Sequence, residues 1–181
     1  MGKSTDLNQN HELQIKKIQA AFGSNVVIDR DSVDCPILWV KNPDAIKVLG
    51  FLKNTEGLEY VFLSDLTAYD ELGSDEEKLS RFVVVYNLFS PQFKSRMRVK
   101  IRVAEGEPVE SAISLWTGAN WAEREVYDMF GIKISNHPDL RRILMDQRWV
   151  GHPLRKDYYW RKYQLFTDAE PIPMHLLEKK D

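Results

Sequence analysis

The 181 residues carry 25 Lys and Arg against 27 Asp and Glu, a formal net charge of −2, with 43% hydrophobic and 29% charged side chains. That balance is globular: it excludes a chain disordered over most of its length and leaves no overall field to draw in nucleic acid or an anionic membrane. Cys35 is the only cysteine, which excludes an internal disulfide and falls short of the thiolates that a zinc or iron–sulfur site needs.

No window approaches the roughly 18 apolar residues of a membrane span. The start, Met1 to Asp6, has no apolar run for a secretory signal, and Asp6 stands where myristoylation wants Ser or Thr. Gly2-Lys3-Ser4 imitates the end of a phosphate-binding loop without its first glycine or preceding strand.

His11 to Phe22 places Leu13, Ile15, Ile18 and Phe22 near helical spacing, with Gly23 as the stop. Val26–Ile28 and Pro36–Val40 are short apolar runs separated by Asp29-Arg30-Asp31-Ser32 and predict a hairpin. Pro43, just inside Asn42, opens a second helix to about Leu52. Strands are predicted at 60–69, 81–89 and 96–103. The last alternates strictly, with Met97, Val99, Ile101 and Val103 on one face and Arg96, Arg98, Lys100 and Arg102 on the other. A basic row of this kind suits a solvated outer face better than a polyanion site.

Residues 70–78 are an acidic, glycine-containing surface connection. Pro108–Trp116 reads as a short helix, and Asn120, with Glu123 three residues on, as the N-cap of a longer one closed by Gly131. The order predicts an α+β fold, helices packed on one face of a mostly antiparallel sheet, over residues 1–134. Residues 135–181 lack the periodic apolar positions of a second core and read as an extended C-terminal tail.

Within 120–131 the stripe Ala122, Val126, Met129 and Phe130 leaves Glu123, Glu125 and Asp128 for polar contacts. Glu123 and Glu125 are two apart and do not face each other, so they make a poor acid–base pair. With His137 they would be the only candidates for a hydrolase, which has no nucleophile or oxyanion donor here.

The tail interleaves arginines with aromatic rings, the mixture found at protein–protein hot spots. Arg141, Arg142, Trp149, His152, Arg155, Lys156, Asp157 and Tyr158 are therefore the candidate partner-binding residues. His137 and His152 each precede a proline, which favours an extended backbone, and the arginines between them disfavour a bound cation. The same Arg–aromatic chemistry could stack on single-stranded nucleic acid. From Trp121 to Lys162, however, nine basic residues face six acidic ones, a weak excess for a polyanion track.

One resemblance concentrates in the same region. Glu123-Arg124-Glu125-Val126-Tyr127-Asp128-Met129-Phe130-Gly131-Ile132, then Asn136-His137-Pro138-Asp139-Leu140-Arg141-Arg142-Ile143-Leu144, then Trp149 and Gly151-His152-Pro153-Leu154-Arg155-Lys156-Asp157-Tyr158, resemble in order and register the signature of the 30-kDa subunit family of respiratory complex I. In bacteria this is the family of the C-type subunit of NADH-quinone oxidoreductase. The resemblance implies a peripheral-arm subunit of a proton-translocating enzyme with no catalytic residues of its own. FMN and iron–sulfur clusters would be held by partner subunits. It also implies docking on the 49-kDa-type (D-type) subunit, with the cluster-bearing B-type and I-type subunits nearby, at the cytoplasmic side of a bacterial inner membrane. Tyr159 stands where the family commonly has proline, so the path beyond it is the least constrained. Equivalent subunits of ferredoxin- or deazaflavin-linked oxidoreductases and of membrane-bound hydrogenases share the motif, so the electron donor stays open.

Overall fold

The computed structural model describes residues 3–29, 34–74, 80–159 and 164. Helix α1 (Lys3–Phe22) leads into strand β1 (Val26–Asp29) and strand β2 (Ile37–Val40). Helix α2 (Ala45–Asn54) and strands β3 (Phe62–Asp70), β4 (Phe82–Ser90) and β5 (Ser95–Val103) follow. The described chain continues through β6 (Val109–Glu110), helix α3 (Ala119–Phe130) and β7 (Ile134–Ser135).

The main sheet has the order β1-β2-β5-β4-β3. The pairs β1–β2, β3–β4 and β4–β5 are antiparallel, whereas β2 lies parallel to β5. The α+β fold with a mostly antiparallel sheet is thus observed. One face carries Leu38, Val40, Val84, Tyr86, Leu88, Val99 and Ile101 into a core shared with Ile18 of α1, Ala45, Val48, Leu49 and Leu52 of α2, and Val126, Met129 and Phe130 of α3. Inside this core a small polar knot ties α1 to the sheet: Tyr60 Oη donates to Gln14 Oε1 at 2.7 Å, and Gln14 Nε2 donates to Ser95 Oγ at 3.2 Å.

The alternation in β5 falls as its pattern predicts, but the outer row is not simply solvated. Arg102 lies 4.4 Å from the Trp39 ring centre, and Lys100 lies 5.0 Å from Trp39 and 5.5 Å from Tyr69. Arg98 donates to Asn87 Oδ1 at 2.8 Å and pairs with Asp34 at 3.0 Å, and Arg102 pairs with Glu71 at 2.6 Å. Their aliphatic stems cover the outer side of the sheet, where Val83 and Val85 are buried.

Four local expectations are corrected. Residues 108–116 are not a helix. Val109–Glu110 pairs in parallel with Ile134–Ser135, making a β–α–β crossover around α3, and the amide of Ala112 is taken by the Glu123 side chain instead of a helical carbonyl. Asn120 is not an N-cap: α3 begins at Ala119 behind Gly118, with no side-chain cap. The second helix begins at Ala45, because Asn42–Asp44 forms a 3-10 turn in which Asn42 Nδ2 is committed to Glu107 and the Pro108 carbonyl. The first helix starts earlier than its apolar spacing suggests, at Lys3.

Candidate functional site

α3 and the segment that returns along it bring the motif residues together. The buried stripe of the helix includes Ala119, Glu123, Val126 and Phe130, spaced i, i+4, i+7, i+11, so Glu123 faces inward with the apolar residues. Its carboxylate accepts from Ser111 Oγ at 2.7 Å and from the Ala112 amide at 2.6 Å, with His137 Nε2 at 4.0 Å. Burial raises the Glu123 pKa, and the two donors and His137 offset only part of that rise. The Asp139 amide donates to His137 Nδ1 at 3.0 Å, and Nε2 lies 3.3 Å from the Asn120 carbonyl.

Asp128 is completely buried and organises the returning chain. Its Oδ2 accepts from the amides of Ile143, Leu144 and Met145 at 3.0, 2.8 and 2.9 Å, and its Oδ1 meets Arg142 Nη1 at 2.6 Å. Burial alone would raise this carboxyl, but the three amides and the guanidinium bring it below the ordinary carboxylate range.

The carbonyls at the end of α3, which a helix leaves without partners, are then taken one after another. His152 Nδ1 donates to the Asp128 carbonyl at 2.9 Å, the Leu154 amide to Met129 at 3.1 Å, and Arg155 Nε to Phe130 at 2.6 Å. Gly131, at φ +75°, allows this closure: a Cβ there would lie 2.5 Å from His152 Nε2. Placing a guanidinium at this end also suits the helix dipole. Burial first, then Arg155 and Arg142, hold His152 below its ordinary pKa.

A second knot fixes the far end of the segment. Arg81 meets Asp70 at 3.2 Å, Glu105 at 2.8 Å and Asp157 at 2.6 Å. The Lys156 amide donates to Asp70 Oδ2 at 3.0 Å, and Lys156 Nζ to the Leu72 carbonyl at 3.0 Å. Arg155 also reaches Glu105 at 2.9 Å.

Of the eight candidate partner-binding residues, Arg142, His152, Arg155, Lys156 and Asp157 therefore bind the chain itself. Arg141 is exposed and pairs with Asp139 at 2.9 Å. Trp149 is half-buried, its amide on the Asp146 carbonyl at 2.9 Å. Tyr158 is half-buried against Gly151. Among the other motif residues, Arg124 holds the carbonyls of Arg141 and Arg142 at 3.2 and 3.3 Å, Tyr127 meets His152 edge-on at 6.2 Å, and Glu125 and Pro138 are exposed. A tail boundary at residue 134 passes through β7, and residues 136–159 run without regular structure but bound to the domain.

The family model described as "Respiratory-chain NADH dehydrogenase, 30 Kd subunit" matches residues 38–164, which takes in most of β2, all of β3, β4 and β5, α3 and the returning segment, and leaves β1 outside. The chain belongs to that family. The C-type NADH-quinone oxidoreductase subunit of Geotalea uraniireducens (strain Rf4) is 44% identical over 154 residues, covering 84% of this chain and 90% of the relative. A C/D-type NADH-quinone oxidoreductase subunit of Psychrobacter cryohalolentis is 42% identical over 151 residues, covering 81% of this chain and 25% of that one. Among solved structures, Nqo5 as its trypsin-resistant fragment (1–134) shares the fold at TM-score 0.61 and 29% identity, covering 72% of this chain and 99% of the fragment. The 30-kDa-family chain is thus part of NADH-quinone oxidoreductase.

Several residues that build the site are absent from the motif. Asp70 shares an inward face with Leu66 and Ala68 at period two, and that position in an apolar row was the available signal. Arg81, Glu105 and Gln164 carry no local signal, since the partners that define their roles lie 11 to 76 residues away in the chain. No helix among the described residues is long and apolar enough to cross a membrane, and no group of three metal-binding side chains occurs among them.

Proposed function

We propose that this chain is a non-catalytic, cofactor-free subunit of the peripheral arm of a proton-translocating NADH:quinone oxidoreductase. It holds the quinone-proximal redox module together by docking on the 49-kDa-type subunit, with the B-type and I-type subunits nearby, on the cytoplasmic side of the inner membrane. FMN and the iron–sulfur clusters belong to those other subunits.

The observation that carries a structural role is the use made of the motif. Its ionisable side chains, Glu123, Asp128, Arg142, His152 and Arg155, bind backbone groups and one another, and so build a shaped surface instead of presenting reactive groups to a cleft. The relative of the C/D type supports the choice of the 49-kDa-type partner.

The test is gentle solubilisation of membranes containing a tagged full-length chain. Copurification of the 49-kDa-type, B-type and I-type subunits, with loss of an assembled arm but intact clusters elsewhere when the chain is deleted, is the expected result. Purified chain that alone bound flavin or iron and turned over NADH would overturn it.

A further inference from the structure

Resting on that reading, we infer that the face of this chain seated on the 49-kDa-type partner is an apolar strip formed by Trp121, Leu144, Val150, Leu154 and Tyr159, and that the tail's charged residues serve to shape it. These five side chains are 63, 61, 76, 53 and 65% exposed. They account for five of the nine exposed large apolar residues among the described ones, the others being Leu13, Val27, Val61 and Phe62. Single exposed apolar residues need no explanation, but a concentration around one helix marks an interface.

Polar contacts place Trp121, Leu144, Val150 and Leu154 around α3, and Tyr159 follows Tyr158, whose ring lies against Gly151. Arg124 stacks 5.2 Å from the Trp121 ring while holding the carbonyls of Arg141 and Arg142. Leu144 is set by its amide on Asp128, one turn of α3 beyond Arg124. Arg142 Nη2 takes the Gly151 carbonyl at 3.0 Å, next to Val150, and the Leu154 amide takes the Met129 carbonyl. Gln164 brackets the Val150 peptide, Nε2 donating to its carbonyl and Oε1 accepting from its amide, both at 2.8 Å. The backbone along the strip is pinned by polar contacts, and the apolar side chains are left exposed.

Two observations choose the occupant. The cations and carboxylates that would recognise a charged partner (Arg142, Arg155, Asp157) are paired within the chain, so the remaining attraction is hydrophobic. A relative of the C/D type matches this chain over only 25% of its own length, leaving room in one polypeptide for the partner. Joined in one polypeptide, the two parts meet at a high effective concentration, which suits a modest apolar contact.

The experiment compares tagged full-length chains in membranes of the native host, reading the 49-kDa-type subunit recovered per tagged chain by mass spectrometry. Val150→Glu and Leu154→Glu should each lower recovery at least about tenfold, as expected for a charge forced into a desolvated contact. Asp128→Asn, which unpins the strip without altering it, should also lower recovery. Val27→Glu, on the edge strand β1, should leave it unchanged and serves as the control for an added surface charge. If the wild-type chain recovers the partner and the Val150 and Leu154 variants recover it equally well, the strip is not the docking face, although the assembly reading stands. If the wild-type chain recovers no 49-kDa-type subunit, the reading and the strip fall together.

Discussion

Arg142 and Asp128, 14 residues apart, meet at 2.6 Å with the carboxylate fully buried, and three consecutive amides close on its other oxygen. Removing the acid strands a buried guanidinium and three backbone donors. Asp128→Ala should therefore destabilise the chain by about 3–5 kcal/mol, the usual cost of breaking a buried pair. Limited trypsin digestion should then cut at Arg141, Arg142 and Arg148 well before the sheet, whereas the wild type resists there.

Gly131 gives a second measurement. Gly131→Ala combines a left-handed backbone with a Cβ 2.5 Å from His152 and 2.6 Å from Arg155. The backbone strain alone is worth about 1–3 kcal/mol. The midpoint of denaturant unfolding should fall accordingly, and the segment 151–157 should gain hydrogen exchange ahead of β4 and β5.

The other anchor is tested by a pair of changes. Arg81→Ala leaves Asp70, 1% exposed at its side chain, without its cation and should cost about 3–5 kcal/mol. Adding Asp70→Asn removes the stranded charge, so the double variant should be more stable than the single Arg81→Ala. A double-mutant cycle on thermal unfolding checks this; additive losses would contradict the pairing.

His152 predicts a pH dependence. Its folded pKa lies below its unfolded value because burial and the neighbouring Arg155 and Arg142 disfavour the imidazolium. The folded state thus binds the proton less tightly, so the stability from this group is complete above about pH 6.5 and is lost as pH falls below it. His152→Asn, which can keep a donor for the Asp128 carbonyl, should flatten the decline of the melting temperature between about pH 7 and 5.

Glu123 works with the opposite sign. Its folded pKa is raised by burial, so the cost of ionising it is present above that pKa and is relieved on acidification. Glu123→Gln should remove that relief, giving a variant at least as stable as the wild type at neutral pH but losing stability more steeply as the solution is acidified. Parallel melting curves across pH, identical in slope for both proteins, would contradict the assignment.

The sheet was legible where periodicity is local. β4 and β5 show as an apolar run and a strict alternation, and the antiparallel β1–β2 pair shows as two runs with a polar break. The parallel contact of β2 with β5 was not, because nothing within a short window records a partner 61 residues away, as Ile37 is from Arg98. The motif marks the stretch of chain that gathers around α3 but not the physics that gathers it. Asp128 and Glu123 read as surface charges on a helix, and only the long-range donors that satisfy them explain why they are buried. For the same reason the arginines look available to a partner until their own carboxylates and carbonyls are seen.

The parallel seam between β2 and β5 has a consequence for how the molecule is made. β1 and β2 cannot join the sheet until Ser95–Val103 has emerged, so the N-terminal hairpin must wait with one edge uncovered during synthesis. It should accordingly be the last region to gain protection in pulse-labelled refolding, and the place where a nascent chain is most open to chaperones.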